Sequence, residues 1–469
     1  MKEKIRIPFV VLVLLFTIGT GLFQSRSQLQ SFLSAASANF TSSSLLYTSN
    51  AQEQETPSSS ANFIHRPPTN WTISKPRPIH VAPNAVPQQS NDAYVFLNWG
   101  CIPEVPNQNY RWAILHVLNS AKLFKETYGS SKDVVLVVSL SYQSNMTQLL
   151  PIEEQLLKDH GVRLYYLDKL DETEPVFAFK TANVYFNMFK KFWLWTLDDY
   201  DKILYLDVDI LPLRSMDYWF ELSEQGHLND MVVLAGHTEP ANGGSFLFQP
   251  SQYEFEKLYN LLYKLQTQGK LNRRGGQPKN VYNAWDMPID PNNFTWINNR
   301  DSGHSFGFFA AGVDQGLLYH YCRFMLRNCT QILGKGRSLQ FFDPDGSIRQ
   351  LPWEQSRFAD LTEIQVSEPN HRLFDLSFKC RNFAGGSCVR PWQDFHHWTG
   401  DHKPWKTDKQ TFYHPPKPEV VQAQPPKSID MLWWHTALNL IQDTPPEYRP
   451  WFQAMFPGGY LEYQTKDDK

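Results

Sequence analysis

Residues 203–212 read Ile-Leu-Tyr-Leu-Asp-Val-Asp-Ile-Leu-Pro. Apolar residues run into Asp207, one residue separates it from Asp209, and an apolar pair then meets Pro212. A buried strand that ends in two carboxylates delivers them to the C-terminal edge of a sheet, where open α/β folds place their ligands. Carboxylates at i and i+2 on a twisting strand end both reach one hard divalent cation. Mg²⁺ and Mn²⁺ take oxygen ligands and readily share a diphosphate. Alone, Asp-x-Asp is also the pattern of a solvated turn, so its surroundings decide.

On both sides the chain alternates strand and helix. Ala93–Asn98 reads as a first buried strand, and Trp112, Leu115, Leu118, Ala121 and Leu123 share one helical face. Asp133–Val138 is a continuous β-branched run, Pro151–His160 reads as a helix, and Val162–Leu167 as the next strand. A helix over about Asn183–Leu197 leads into the Asp207 strand. Met231–Ala235 and Ser245–Phe248 are further strands, and Leu258, Leu261, Leu262 and Leu265 recur at helical spacing. This alternation predicts an α/β fold with a mixed, mostly parallel sheet flanked by helices. From Leu271 to Gly307 the composition turns to Asn, Gly, Pro and Trp, the character of an active-site loop or lid.

The termini differ from this body. Lys2, Lys4 and Arg6 precede an apolar run from Ile7 to Phe23. At about 17 residues it is short for a spanning helix but long enough to serve as one. Its basic flank faces the cytoplasm, which predicts an uncleaved signal-anchor, with a cleaved signal peptide as the other reading. Either places the remainder in the secretory lumen or outside the cell, and a Golgi-type membrane is the expected location. Residues 25–90, rich in Ser, Asn, Gln, Pro and Thr, read as a low-complexity stem. Residues 1–24 are then the tip and anchor, 91–415 the catalytic domain, and 416–469 a C-terminal tail with one helix running from Ser428 to about Gln442.

Sequons at Asn39, Asn70, Asn145, Asn293 and Asn328 suit a lumenal chain. The five cysteines allow small loops between Cys322 and Cys329 and between Cys380 and Cys388, with Cys101 left over; spacing leaves the connectivity open. A net charge of −3 offers no basic field for nucleic acid.

Four segments, in the same order, resemble glycosyltransferase family 8, the glycogenin-like retaining transferases with a GT-A fold. They are Lys191 through Asp207-Val-Asp209, Asn242-Gly-Gly244 through Pro250-Ser251, Asp314-Gln315-Gly316, and His397-Trp-Thr-Gly400-Asp-His-Lys403-Pro-Trp405. The resemblance covers residues 91–406 and implies transfer of a sugar from a UDP-sugar to a glycan, glycoprotein or glycolipid acceptor, with retention of configuration. It implies Mn²⁺, with Mg²⁺ as the alternative, held by Asp207, Asp209 and His397. Lys403 then carries charge to the departing phosphates and Gly400 lets the loop backbone approach them. Asp314 and Gln315 stand on the sugar side, Lys191 against the donor, and Asn242 and Gly244 along the sugar pocket. The neighbouring Lys190 reads as a solvated helix charge. Asn98 and Tyr110 are the expected base or ribose contacts.

The sequence also departs from close glycogenin relatives. Ala311 replaces an acidic residue three positions before Asp314, no self-glucosylated Tyr is matched, and the loop from Gly100 to Asn109 is longer and interrupted by Pro. A glycogen primer is therefore not expected. Two rivals come from other classes. An Asp-x-Asp phosphatase would continue Asp-x-Asp-Gly-Thr, whereas Ile210-Leu211 follow here, and Asp343-Pro-Asp345-Gly346 is a second acidic turn. A non-catalytic glycan-binding protein on a transferase fold would not need an intact Asp207–Asp209–His397 set.

Overall fold

The computed structural model describes residues 78–105, 109–169, 188–234, 241–267, 298–299, 304–305, 314–333, 338–352, 394–398, 403–405 and 429–456. The N-terminal apolar run, the sequons at Asn39, Asn70 and Asn293, Cys380, Cys388, Ala311, Gly400 and most of 271–307 lie outside those residues. Among the described residues no helix is long and apolar enough to cross a membrane.

The strands are β1 (Ile79–Val81), β2 (Asp92–Cys101), β3 (Asp133–Leu140), β4 (Val162–Leu167), β5 (Lys202–Leu206), β6 (Ile210–Pro212), β7 (Met231–Leu234), β8 (Ser245–Phe248), β9 (Asn298–Asn299), β10 (His304–Ser305), β11 (Cys329–Leu333), β12 (Ser338–Phe342), β13 (Ile348–Pro352) and β14 (Phe395–His397). The helices are α1 (Asn109–Lys122), α2 (Pro151–Asp159), α3 (Asp217–Glu224), α4 (Gln252–Thr267), α5 (Asp314–His320), α6 (Ile429–Asp443) and α7 (Arg449–Met455).

Ten strands form one sheet in the order β1-β4-β3-β2-β5-β8-β7-β11-β12-β13. β4, β3, β2 and β5 run parallel, and β11 is parallel to β7. β8 is inserted antiparallel between β5 and β7, so those two keep a common direction. The result is the mixed, mostly parallel sheet that the alternation predicts. Residues 93–97 of β2 and 134–138 of β3 are continuously apolar because both faces of these strands are covered there. Tyr94, Phe96, Val134 and Leu136 point into one core with α1, α2 and α3, while Ala93, Val95, Val135 and Val137 point into the other with α4 and α5. α2 begins with Pro151 in its first turn, and Glu153 reaches back so that Oε2 accepts the Leu150 N–H at 3.1 Å.

Three boundaries differ from the sequence reading. The sheet already starts inside the expected stem, because β1 pairs antiparallel with β4, Ile79 opposite Leu167. Three residues are too few to show a period. Of the expected helix over 183–197, the described part is α-helical at 188–189 and tightens into a 3₁₀ turn over Lys190–Thr196, every residue of which is buried. The C-terminal segment is no appended tail with one helix: α6 and α7 belong to the main core, with Trp433, Trp434, Trp451 and Phe452 buried in the cluster that also holds α1, α2 and α3 residues. Burial of each such aromatic side chain contributes roughly 1.5–3 kcal/mol. Cys322 and Cys329 form a disulfide, and Cys101 is buried as a free thiol.

Candidate active site

β5 ends at Leu206, and the next residue, Asp207, is still tied to the sheet by its N–H, which donates to Gly244 O at 2.8 Å. The chain then turns, with the Ile210 N–H donating to Asp207 O at 2.9 Å. That turn folds the Asp207 and Asp209 carboxylates to one side. β6 follows at once and pairs with β14, so that His397 stands opposite Ile210 and His396 opposite Leu211. The Trp398 N–H donates to Asp209 O at 3.0 Å and extends the ladder.

This two-stranded ladder is what carries the imidazole to the carboxylates. His397 Nε2 lies 3.2 Å from Asp209 Oδ1 and 3.8 Å from Asp207 Oδ2. One ligand atom from each of the three residues falls within 4.8 Å of the others. Lys403 arrives from the same segment, and its ammonium donates to Asp209 Oδ2 and to Trp398 O. Burial alone would raise the Asp209 carboxyl, but the charges of Lys403 and His397 outweigh it and hold the group well below the usual carboxylate range.

The donor set fits a divalent cation. It offers two carboxylates and one imidazole nitrogen, a mixture that Mn²⁺ accepts more readily than Mg²⁺ does. Among the described residues, Asp209 Oδ1 and His397 Nδ1 are buried polar atoms without a hydrogen bond of good geometry. Such atoms are costly unless something partners them. Gly244 makes the close approach possible: a Cβ there would stand 2.5 Å from His397 Cε1 and 2.9 Å from Asn242 Oδ1. Asn242 shapes the same turn, its Oδ1 accepting the Gly244 N–H at 2.8 Å.

Behind the carboxylates lies Lys191, on the 3₁₀ turn. Its Nζ donates to Asp314 Oδ2 and to Gly243 O, each at 2.7 Å, and lies 3.6 Å from Asp207 Oδ1. Burial favours the neutral amine, yet Asp207 and Asp314 outweigh it and raise the pKa, so Lys191 is charged. Asp314 opens α5 and is buried; Gln315 follows, with Oε1 buried and, among the described residues, without a hydrogen-bond partner. The Tyr205 hydroxyl donates to Asp207 Oδ1, which places a further donor beneath the pair.

The structure therefore brings Lys191, Asp207, Asp209, Asn242, Gly244, Asp314, Gln315, His397 and Lys403 into one neighbourhood, while Gly400 lies outside the described residues. Two expected residues play another part. Tyr110 is buried, and its hydroxyl donates to Glu153 Oε1 at 2.9 Å, where Arg111 Nε and Trp451 Nε1 also donate. Asn98 is buried with its Nδ2–H₂ donating to Tyr110 O at 3.1 Å. Both polar groups are spent on joining β2, α1, α2 and α7, which corrects their reading as base or ribose contacts. Lys190 is corrected as well. It is not a solvated charge but is buried, with Nζ donating to Ser139 Oγ at 2.9 Å.

The sequence reading missed His116. Its ring is fully buried on α1; Nε2 is 2.8 Å from Ile210 O, and Nδ1 accepts the Trp433 indole N–H at 2.9 Å. These partners fix Nε2 as the protonated nitrogen. A lone His at an apolar position gives no such signal in sequence. Asp343 and Asp345 occupy the β12–β13 hairpin turn, where Arg349 pairs with Asp343, so they form no second acidic site.

Comparison with known proteins supports the same reading. Residues 102–313 match the model of glycosyl transferase family 8. Two Arabidopsis thaliana proteins are similar over part of the chain. UDP-glucuronate:xylan alpha-glucuronosyltransferase 1 is 28% identical over 143 residues, 28% of this chain and 20% of that protein. UDP-glucuronate:xylan alpha-glucuronosyltransferase 2 is 32% identical over 142 residues, 28% of this chain and 22% of that protein. The matched segment thus spans about a fifth of those relatives' own length. Among solved structures, the galactosyltransferase LgtC in complex with donor and acceptor sugar analogs aligns over 77% of this chain and 99% of its own, with 14% identity and a TM-score of 0.37. At that score the likeness adds no weight to the argument.

Proposed function

We propose, from the premise that residues 102–313 are a glycosyl transferase family 8 domain, that this chain transfers a sugar from a UDP-sugar to a glycan acceptor, with retention of configuration. The observation that carries the proposal is the convergence of Asp207, Asp209 and His397, from β5–β6 and β14, with their ligand atoms within 4.8 Å of one another. These three residues would hold a divalent cation. A cation held there would supply positive charge against the negative charge of a diphosphate leaving group. Lys403, whose ammonium rests on Asp209, supplies a mobile positive charge for the same phosphates.

Asp314 and Gln315 face the sugar in this reading. The buried Gln315 Oε1 is an acceptor suited to a sugar hydroxyl. Lys191 stands against the donor in this reading, at the base of the same site. It is held by Asp314 and Gly243 and keeps the Asp207 and Asp314 carboxylates in place. The names of the similar plant proteins put UDP-glucuronate first among donors to try and xylan first among acceptors. The basic flank and apolar run at residues 2–23 support a single-pass type II anchor with the catalytic domain in the Golgi lumen, residues 25 to about 77 serving as its tether.

The test is release of UDP from UDP-glucose, UDP-galactose, UDP-xylose and UDP-glucuronate by the purified protein, with Mn²⁺ and with chelator. One donor should be consumed, and only with the cation. Asp209→Asn should lower that rate by about 10²–10³-fold, the scale of a lost electrostatic stabiliser. No turnover of any of the four donors, or equal rates in chelator, would overturn the proposal.

A further inference from the structure

Helix α6 lies behind the cation site and contributes no ligand to it. Three of its side chains nevertheless end on the site's supports. The Trp398 indole N–H donates to Asp430 Oδ1 at 2.8 Å, and Trp398 directly follows His397. The Trp434 indole N–H donates to Pro404 O at 3.1 Å, and Pro404 directly follows Lys403. The Trp433 indole N–H donates to His116 Nδ1 at 2.9 Å, and His116 Nε2 meets Ile210 O, the residue directly after Asp209. Each contact is one residue beyond a group that the site uses. Trp405 and Trp398 pack on the His116 ring at centroid distances of 5.5 Å and 6.0 Å, so the three contacts share one aromatic block.

A buried indole N–H needs an acceptor, so what distinguishes α6 is where its acceptors lie. Here α6 places Trp433 and Trp434 side by side, both buried, and both N–H groups are spent on the segments around the site. Among the described residues, the chain that carries His397 and Lys403 is also held by the short β6–β14 ladder and by Asp394, which pairs with Arg214 and accepts from the Tyr218 hydroxyl.

We infer that α6 is the positioning element of the cation and diphosphate site: Asp430 sets His397 through Trp398, and Trp434 sets Lys403 through Pro404. The inference rests on the reading of Asp207, Asp209 and His397 as cation ligands. Because the two arms end on different groups, they separate in experiment. Asp430 governs the affinity for the cation, and Trp434 governs the affinity for the diphosphate.

The test uses the full chain, with Mn²⁺ alone and then UDP at saturating Mn²⁺ as calorimetric probes, and thermal melting alongside. Asp430→Ala should weaken Mn²⁺ binding about tenfold, the low end for an outer partner of a metal ligand. Asp430→Asn should restore it, since an amide oxygen still accepts the indole N–H. Trp434→Phe should leave Mn²⁺ binding unchanged and weaken UDP binding about fivefold, the scale of one hydrogen bond. Thr436→Ala is the control, because among the described residues its hydroxyl bonds to Leu432 O within α6; it should change neither affinity. If both variants lower both affinities in step with melting temperature, α6 is only core and the inference fails. Unchanged Mn²⁺ binding in Asp430→Ala also overturns it. A wild-type protein that binds no Mn²⁺ overturns the cation-site reading itself, and this inference with it.

Discussion

Lys191 and Asp314, 123 residues apart in the chain, form a buried ion pair with Nζ and Oδ2 2.7 Å apart. The same ammonium holds Gly243 O and faces Asp207, and a Cβ on Gly243 would fall on the Asp314 carboxylate. The pair fastens the 3₁₀ turn, the β7–β8 connection and the start of α5 to the end of β5. Lys191→Met should therefore destabilise the fold by about 3–5 kcal/mol, because a buried carboxylate loses its cation. Adding Asp314→Asn should recover a large part of that loss. Urea unfolding of both single variants and the double variant gives the coupling. Additive losses would show that the two residues do not act as a pair.

Gly244→Ala tests the close approach of the glycine turn to the imidazole. The added methyl meets His397 Cε1 at 2.5 Å and His397 Nδ1 at 3.0 Å, so the ring has to move. Mn²⁺ affinity, measured by titration calorimetry, should fall about tenfold or more, as for other displaced supports of a metal ligand. Global stability should fall by about 1–3 kcal/mol, the usual cost of an extra methyl in a packed site. Unchanged Mn²⁺ affinity would mean that His397 is not a ligand.

His116 predicts a specific pH dependence. Burial holds its pKa down to about 4, against 6.5 for the free group. Above pH 6.5 both folded and unfolded states are neutral there, and the residue adds no slope. As pH falls from 6.5 to 4 the unfolded chain takes up the proton first, so the native state loses stability. By pH 4 that loss reaches about 3 kcal/mol, because each pH unit crossed in this window costs about 1.4 kcal/mol. His116→Gln, which keeps a donor toward Ile210, should remove this part of the acid slope in urea titrations between pH 7 and pH 4. Parallel slopes in both proteins would show that His116 titrates normally.

The Cys322–Cys329 disulfide closes a loop of sequence separation 7 between the π-helical segment Tyr321–Leu326 that follows α5 and the start of β11. Chain-entropy reasoning for so small a loop gives about 2–3 kcal/mol. Replacing both cysteines by Ala should lower stability by that amount, and reductant should lower the melting temperature of the wild type but not of the variant. No effect of reductant on the wild type would contradict a structural bridge.

Much of this was legible because the physics was local. The β3 run from Asp133 and the strand ending at Leu206 are continuous and apolar, as strands covered on both faces must be. Asp207 and Asp209 announced themselves by following such a strand. His397 and Lys403 were legible only through the family resemblance, since a ladder between β6 and β14 leaves no periodic trace in three residues. Burial of a specific polar group was not legible at all. Lys190 and Lys191 are neighbours of one type, and both turn inward to different partners. Tyr110 looked like a loop aromatic beside a nucleotide, yet Glu153, 43 residues on, claims its hydroxyl. The same holds for α6, whose adjacent tryptophans gave no hint that α1 waits for them.

The β6–β14 ladder has a consequence for how the molecule matures. Its two strands come from distant parts of the chain, and Lys403 meets Asp209 across 194 residues. Contacts of such long range form late, because closing the intervening loop costs entropy before any contact rewards it. During synthesis the β2–β5 layer can condense well before α6 emerges. A chain arrested short of residue 429 would hold Asp207 and Asp209 but lack the element that holds their partners. On the proposed reading of Asp207, Asp209 and His397, cation binding should report complete folding and should appear only once the last helices have docked.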